Sequence, residues 1–135
     1  MWKLALDFGK LNPEGEPIYL QIMRRFKLLV LKGKLQDGGE VPSRRKLAAS
    51  LGVNPNTVQK AFAELEREGL IVTPPNAKSV VRVSKNDFNR IQHELLEGQV
   101  IALAETAKEA GLDLGQLIKL IKKVANETFS DTVET

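Results

Sequence analysis

The chain has 135 residues, 42% of them hydrophobic and 27% charged, with a formal net charge of +3 at pH 7 and no cysteine. That composition belongs to a folded globular chain, and the missing cysteine excludes disulfides, a thiol nucleophile and a thiolate metal site. No apolar run reaches the roughly 18 residues of a membrane span, and no long apolar run follows a basic N-terminus, so a cytoplasmic chain is expected.

Charge is unevenly placed. Residues 1–21 carry two basic against three acidic side chains, residues 22–82 twelve against five, and residues 85–135 six against nine. A basic middle joined to a mildly acidic end suits a polyanion-binding head with a separate assembly tail; a solvated charged face is the plainer alternative.

Leu4, Leu6 and Phe8 alternate with polar or small residues, the pattern of a short strand or extended arm, before the Asn12-Pro13-Glu14-Gly15 turn. Pro17 stands where a first helical residue belongs, and Ile18, Ile22, Phe26, Leu29 and Val30 recur at helical spacing up to Gly33. Ser43 is the N-cap of a short helix that ends at Gly52. A capping box would need Glu or Gln at position 46; Lys46 is there instead, a cation at the positive end of a helix. Either Arg44, Arg45 and Lys46 face phosphates, or a solvated first turn tolerates them.

Asn54 caps the next helix and Pro55 occupies its first position. Val58, Ala61, Phe62 and Leu65 form its apolar stripe, so Asn56, Lys60, Ala63 and Arg67 point the other way, flanked by Thr57 and Gln59. The turn Leu51-Gly52-Val53-Asn54 is of the short, glycine-containing kind that joins the helices of a helix-turn-helix. Gly69 ends this helix. The β-prone residues 70–73 and 79–83 flank Pro74-Pro75-Asn76-Ala77-Lys78, a hairpin in which Asn76 can adopt positive φ.

From residue 85 the pattern gives two helices. The first, from Asp87 to about Glu109, carries Phe88, Ile91, Leu95, Leu96, Val100, Leu103 and Ala107; the second follows an Asp113/Gln116 capping box with Leu117, Ile118, Ile121, Val124 and Ala125. Two helices of this length cannot make an independent core, so their apolar surface packs on the head or on a second copy. Gly98 fits either a close helix crossing or a tolerated surface position.

The expected fold is therefore mainly α with a small β-hairpin wing: a winged helix-turn-helix head over residues 1–83, including an N-terminal arm over 1–16, and a two-helix dimerisation segment over 84–135. Phe88, Ile91, Leu95, Leu103, Leu117 and Ile121 are the expected dimerisation residues. An enzyme is disfavoured: His93 stands with Glu94 and Glu97 but no second His or Cys, so no metal set is complete, and no phosphate-cradling loop or nucleophile elbow occurs. No cofactor is expected.

At this point the sequence resembles the GntR family of bacterial transcription regulators, and within it the short YtrA-like branch. The matching residues are Pro17-Ile18-Tyr19-Leu20-Gln21-Ile22, Gly39 with Val41-Pro42-Ser43 and Arg45-Lys46-Leu47-Ala48, Leu51 to Val58, and Leu65-Glu66-Arg67-Glu68-Gly69-Leu70-Ile71. The resemblance implies a winged helix-turn-helix head and a C-terminal region for dimerisation or effector response. It puts the family's first-turn arginine on Arg45 and its recognition-helix contacts on Asn54, Asn56, Thr57 and Gln59, with Lys60 beside them. Lys46 departs from the usual acidic residue, and Pro75, Asn76 and Lys78 stand where the branch has an Arg and two glycines in its wing tip. That change removes the usual ground for minor-groove insertion and leaves Lys78 a phosphate contact from a differently shaped loop.

The function expected is a homodimeric, sequence-specific DNA-binding regulator, a repressor reading an inverted repeat with one recognition helix per half-site. Arg44, Lys46, Thr57 and Lys78 are the expected phosphate contacts; Arg45, Asn56, Gln59 and Lys60 are the expected base contacts. The alternative is a winged-helix module that binds protein or RNA. The two-helix tail has little material for a drug-sized effector pocket, which leaves a small ligand at the dimer seam or none.

Overall fold

Most helices begin and end where local chemistry directs. The computed structural model describes residues 8–133, with side chains to residue 130; Leu4 and Leu6 of the expected arm lie outside the described residues. Helix α1 (Ile18–Leu31) starts one residue later than expected, with Pro17 as N-cap rather than first helical residue. Its buried face holds Ile22, Met23, Phe26, Leu29 and Val30, and also Gln21. That glutamine is buried because it ties down the arm. Its Oε1 accepts the Asn12 N–H at 2.8 Å, while Nε2 donates to the Asn12 and Glu16 carbonyls at 2.7 and 2.6 Å. The Glu16 carboxylate pairs with Arg24, whose hydrogen bond holds that carboxyl below the usual carboxylate range. Phe8 is completely buried.

Helix α2 (Arg44–Leu51) is capped by Ser43, whose Oγ accepts the Lys46 N–H at 3.1 Å, and it closes on Gly52 at φ 68°. In α3 (Pro55–Arg67), Asn54 Oδ1 accepts the Asn56 N–H at 2.8 Å, and the buried residues are Val58, Ala61, Phe62 and Leu65, the stripe expected from their spacing. Helix α3 packs against both α1 and α2, which gives the tri-helical head a core that includes Phe26, Leu47, Phe62 and Leu70.

The wing is a two-stranded antiparallel hairpin of β1 (Ile71–Val72) and β2 (Val80–Val81), with Ile71 opposite Val81 and Val72 opposite Val80. Its strands are shorter than residues 70–73 and 79–83, because the paired prolines after Thr73 have no N–H to donate to a ladder. Asn76 turns the tip at φ 57°. Residues 38–41 run antiparallel along the other side of β2, where Gly38 N–H donates to the Val81 carbonyl at 2.7 Å, Val81 N–H to Gly39 at 2.8 Å and Val41 N–H to Ser79 at 3.1 Å.

Helix α4 (Lys85–Glu109) begins two residues before Asp87 because Ser84 is its cap: Ser84 Oγ accepts the Asp87 N–H at 3.0 Å and Asp87 Oδ2 accepts the Ser84 N–H at 2.9 Å. Helix α5 (Leu114–Val133) opens on the expected box, with Asp113 and Gln116 exchanging bonds of 2.9 and 2.8 Å. The chain forms two compact units, one ending at His93 and one starting at Glu94. The head thus extends past residue 83, since Ile91 is fully buried and Arg90 lies 3.4 Å from Glu68. Ile91 is therefore a core residue of the head and not the exposed dimerisation residue expected.

The tail unit buries little. Ala107 is covered and Leu95, Leu112, Leu117 and Ala125 are half-covered, but Leu96, Val100, Leu103, Ile118, Ile121 and Phe129 are 41 to 62% exposed. A Cβ added to Gly98 would meet nothing within 4 Å.

Candidate nucleic-acid interface

The exposed side of the head is set by the packing of α3. Because Val58, Ala61, Phe62 and Leu65 face inward, Asn56, Gln59 and Lys60 project from the first two turns into solvent, and Thr57 is half-covered. Ala63 is half-covered as well, and Arg67 pairs with Glu64 at 2.8 Å. Asn54 has a divided role. Its Oδ1 is engaged in the cap, so only its amide N–H groups remain to donate outward.

Two shallow depressions open on the head. One is lined by Pro17, Ile18 and Tyr19 of the α1 start and by Asn54, Asn56, Thr57 and Lys60. Lys60 Nζ lies 4.1 Å from the Tyr19 ring centre, a cation–π contact that steers the ammonium toward α1. The other, about 270 Å³, lies between the first turn of α2 and the wing, and Ser43, Arg44, Lys46, Thr73 and Lys78 are among its lining residues. Lys46 and Lys78, far apart in sequence, thus meet at one cleft.

The cations differ in how far they are committed. Arg45 and Lys46 are exposed and form no ion pair among the described residues. Lys78 lies 3.7 Å from Glu40 with both side chains largely in solvent, a contact of little energetic weight. Arg44 turns inward: its Nη2 is 2.7 Å from Glu66, its Nη1 3.3 Å from Ser79 Oγ, and its guanidinium carbon 4.9 Å from the Phe62 ring centre. No local sequence pattern links Tyr19 to Lys60, or Glu66 and Ser79 to Arg44.

No group of three or more His, Asp or Glu able to hold a metal occurs among the described residues, and His93 is exposed on α4. No described helix is long and apolar enough to cross a membrane.

Comparison with known proteins bears on this surface. The family of bacterial regulatory proteins, gntR family, matches residues 18–81. The chain is 38% identical over 116 residues to the HTH-type transcriptional repressor YtrA of Bacillus subtilis (strain 168), covering 81% of this chain and 85% of that one. A GntR family transcriptional regulator from Listeria monocytogenes superposes with a TM-score of 0.74 at 26% identity, over 83% of this chain and 98% of the other. YtrA from Sulfolobus acidocaldarius, a GntR-family transcription factor, gives 0.52 at 30% identity, over 88% and 97% of the two chains.

Proposed function

Since this chain belongs to the GntR family of bacterial transcription regulators, we propose that it is a homodimeric repressor that reads an inverted-repeat operator with one α3 per half-site. It is a winged helix-turn-helix regulator and not an enzyme. The observation that carries the DNA reading is the exposed row Asn56, Gln59 and Lys60 on α3, together with Arg45 and Lys46, which are exposed on α2 and form no ion pair among the described residues. Amide side chains suit adenine edges, and Arg and Lys suit guanine, so this row has the chemistry for base readout. Lys46, Thr57 and Lys78 supply phosphate contacts, with Asn54 donating through its amide.

The dimer reading rests on the tail. Its exposed leucines, isoleucines and phenylalanine form a surface that a soluble chain buries against a partner, and a second copy is the simplest one. Leu95, Leu103, Leu117 and Ile121 are its proposed contacts; Phe88, half-buried on the part of α4 that belongs to the head, is the remaining dimerisation residue proposed. Action on DNA places the protein in the cytoplasm. A gel-shift titration with duplex from upstream of its own gene, run across salt, tests the proposal. Preference over random duplex with a steep loss of affinity in salt is expected; equal binding to both duplexes, or binding only to RNA or protein, would sink it.

A further inference from the structure

Arg44 lies at the first turn of a helix beside two exposed cations, where a phosphate contact would be the simple expectation. Its contacts are of another kind. Glu66 Oε1, on α3, accepts from Arg44 Nη2 at 2.7 Å and from Thr73 Oγ1 at 3.1 Å. Thr73 Oγ1 and Ser79 Oγ are 2.6 Å apart, and Arg44 Nη1 donates to Ser79 Oγ at 3.3 Å. These four residues close a ring. It joins the first turn of α2, the C-terminal half of α3 and both ends of the wing loop. The Phe62 ring backs the guanidinium, and Nε is buried with no hydrogen-bond partner among the described residues.

The ring sits at the neck of a short hairpin. Strands of two residues each form a ladder too short to fix a hairpin alone, and seven residues separate them. The Thr73–Ser79 contact closes the neck of that loop. Ser79 is 93% buried and its carbonyl also accepts the Val41 N–H. Lys78, next to Ser79, is thereby held over the cleft it shares with Lys46.

We propose that Arg44 is a positioning residue: through Glu66, Thr73 and Ser79 it sets the wing and the α2 first turn against the recognition helix, and it does not itself bind phosphate. This rests on the DNA-binding reading for its consequence, but not for its geometry.

The two roles give opposite results in two variants. Arg44→Lys keeps the charge a phosphate needs but loses the planar, two-armed group the ring needs. Glu66→Ala removes the carboxylate that Arg44 pairs with and would release Arg44. Under positioning, both variants bind operator about tenfold or more weakly, with the slope of log K against log salt unchanged. In the free protein, both also speed hydrogen exchange at the Val41 and Val81 amides while the Leu65 amide stays protected. Thr73→Val, which opens the neck without touching a charge, gives the same pattern and serves if Arg44→Lys unfolds the head. Wild-type affinity in Arg44→Lys, or tighter binding in Glu66→Ala, overturns the proposal. If the wild-type chain shows no preference for operator, the regulator reading fails, and unaltered exchange in the variants then overturns the ring's role separately.

Discussion

The ammonium of Lys60 stands over the ring of Tyr19, 4.1 Å from its centre, and so ties the recognition helix to the first turn of α1. An exposed lysine beside a half-covered ring gains about 0.5 to 1 kcal/mol from such a contact. A double-mutant cycle with Tyr19→Leu and Lys60→Ala, followed by urea unfolding, should give a coupling of that size, and Tyr19→Phe should retain it. Additive single effects would mean that the contact carries no energy.

Gln21 is one of the side chains that hold the arm, with Arg24 and Arg25. Gln21→Leu keeps the volume of the buried residue but removes the bonds to the Asn12 N–H and the Glu16 carbonyl, and leaves the Asn12 carbonyl only the Gly15 N–H. A loss of about 1 to 3 kcal/mol in urea unfolding is expected. Asn12→Ala should cost far less, because Gln21 bonds to the backbone of Asn12 and not to its side chain.

What could be read from the sequence follows the range of the interactions involved. The Asn54-Pro55 start, the Ser43 cap without its reciprocal half and the turn at Gly52 are each decided within a few residues, and all three stand where the pattern put them. The contacts of Arg44 are not legible locally because its partners lie 22 and 35 residues away, and tertiary contacts choose its rotamer. The same holds for Ile91, whose helical spacing is right but whose first turns of α4 belong to the head. Residues 38–41 carry no strand signature of their own and pair with β2 only because the fold brings them there.

Acid should expose the cap of α4. The Ser84 backbone N–H, helped by the Ser84 side chain and Arg90, holds the Asp87 carboxyl below the usual carboxylate range. A folded-state value below the unfolded one, about 3.9, stabilises the fold at all higher pH and loses that effect as pH falls through the folded value. The gap in urea midpoint between wild type and Asp87→Asn should be constant from neutral pH down to about 5 and shrink below about 4. A gap unchanged by acid would separate this carboxylate from stability. Ser84→Ala should cost about 1 kcal/mol at neutral pH.

The tail predicts its own defect. Leu103→Glu and Ile121→Glu each place a charge on the exposed apolar face and should convert a dimer to a monomer in sedimentation velocity, with the head's melting unchanged. Such monomers should lose affinity for a full operator far more than for a single half-site, because the second contact no longer benefits from being tethered to the first. A sedimentation coefficient unaffected by both charges would place the interface elsewhere.

Base reading by α3 is tested most directly by selecting bound sequences from a random duplex pool with wild type, Asn56→Ala and Gln59→Ala in parallel. Wild type should enrich an inverted repeat, and each variant should relax the preference at particular, symmetric base pairs while leaving the others intact. An unchanged preference in both variants, or an equal loss at every position, would contradict a base-reading role for this row.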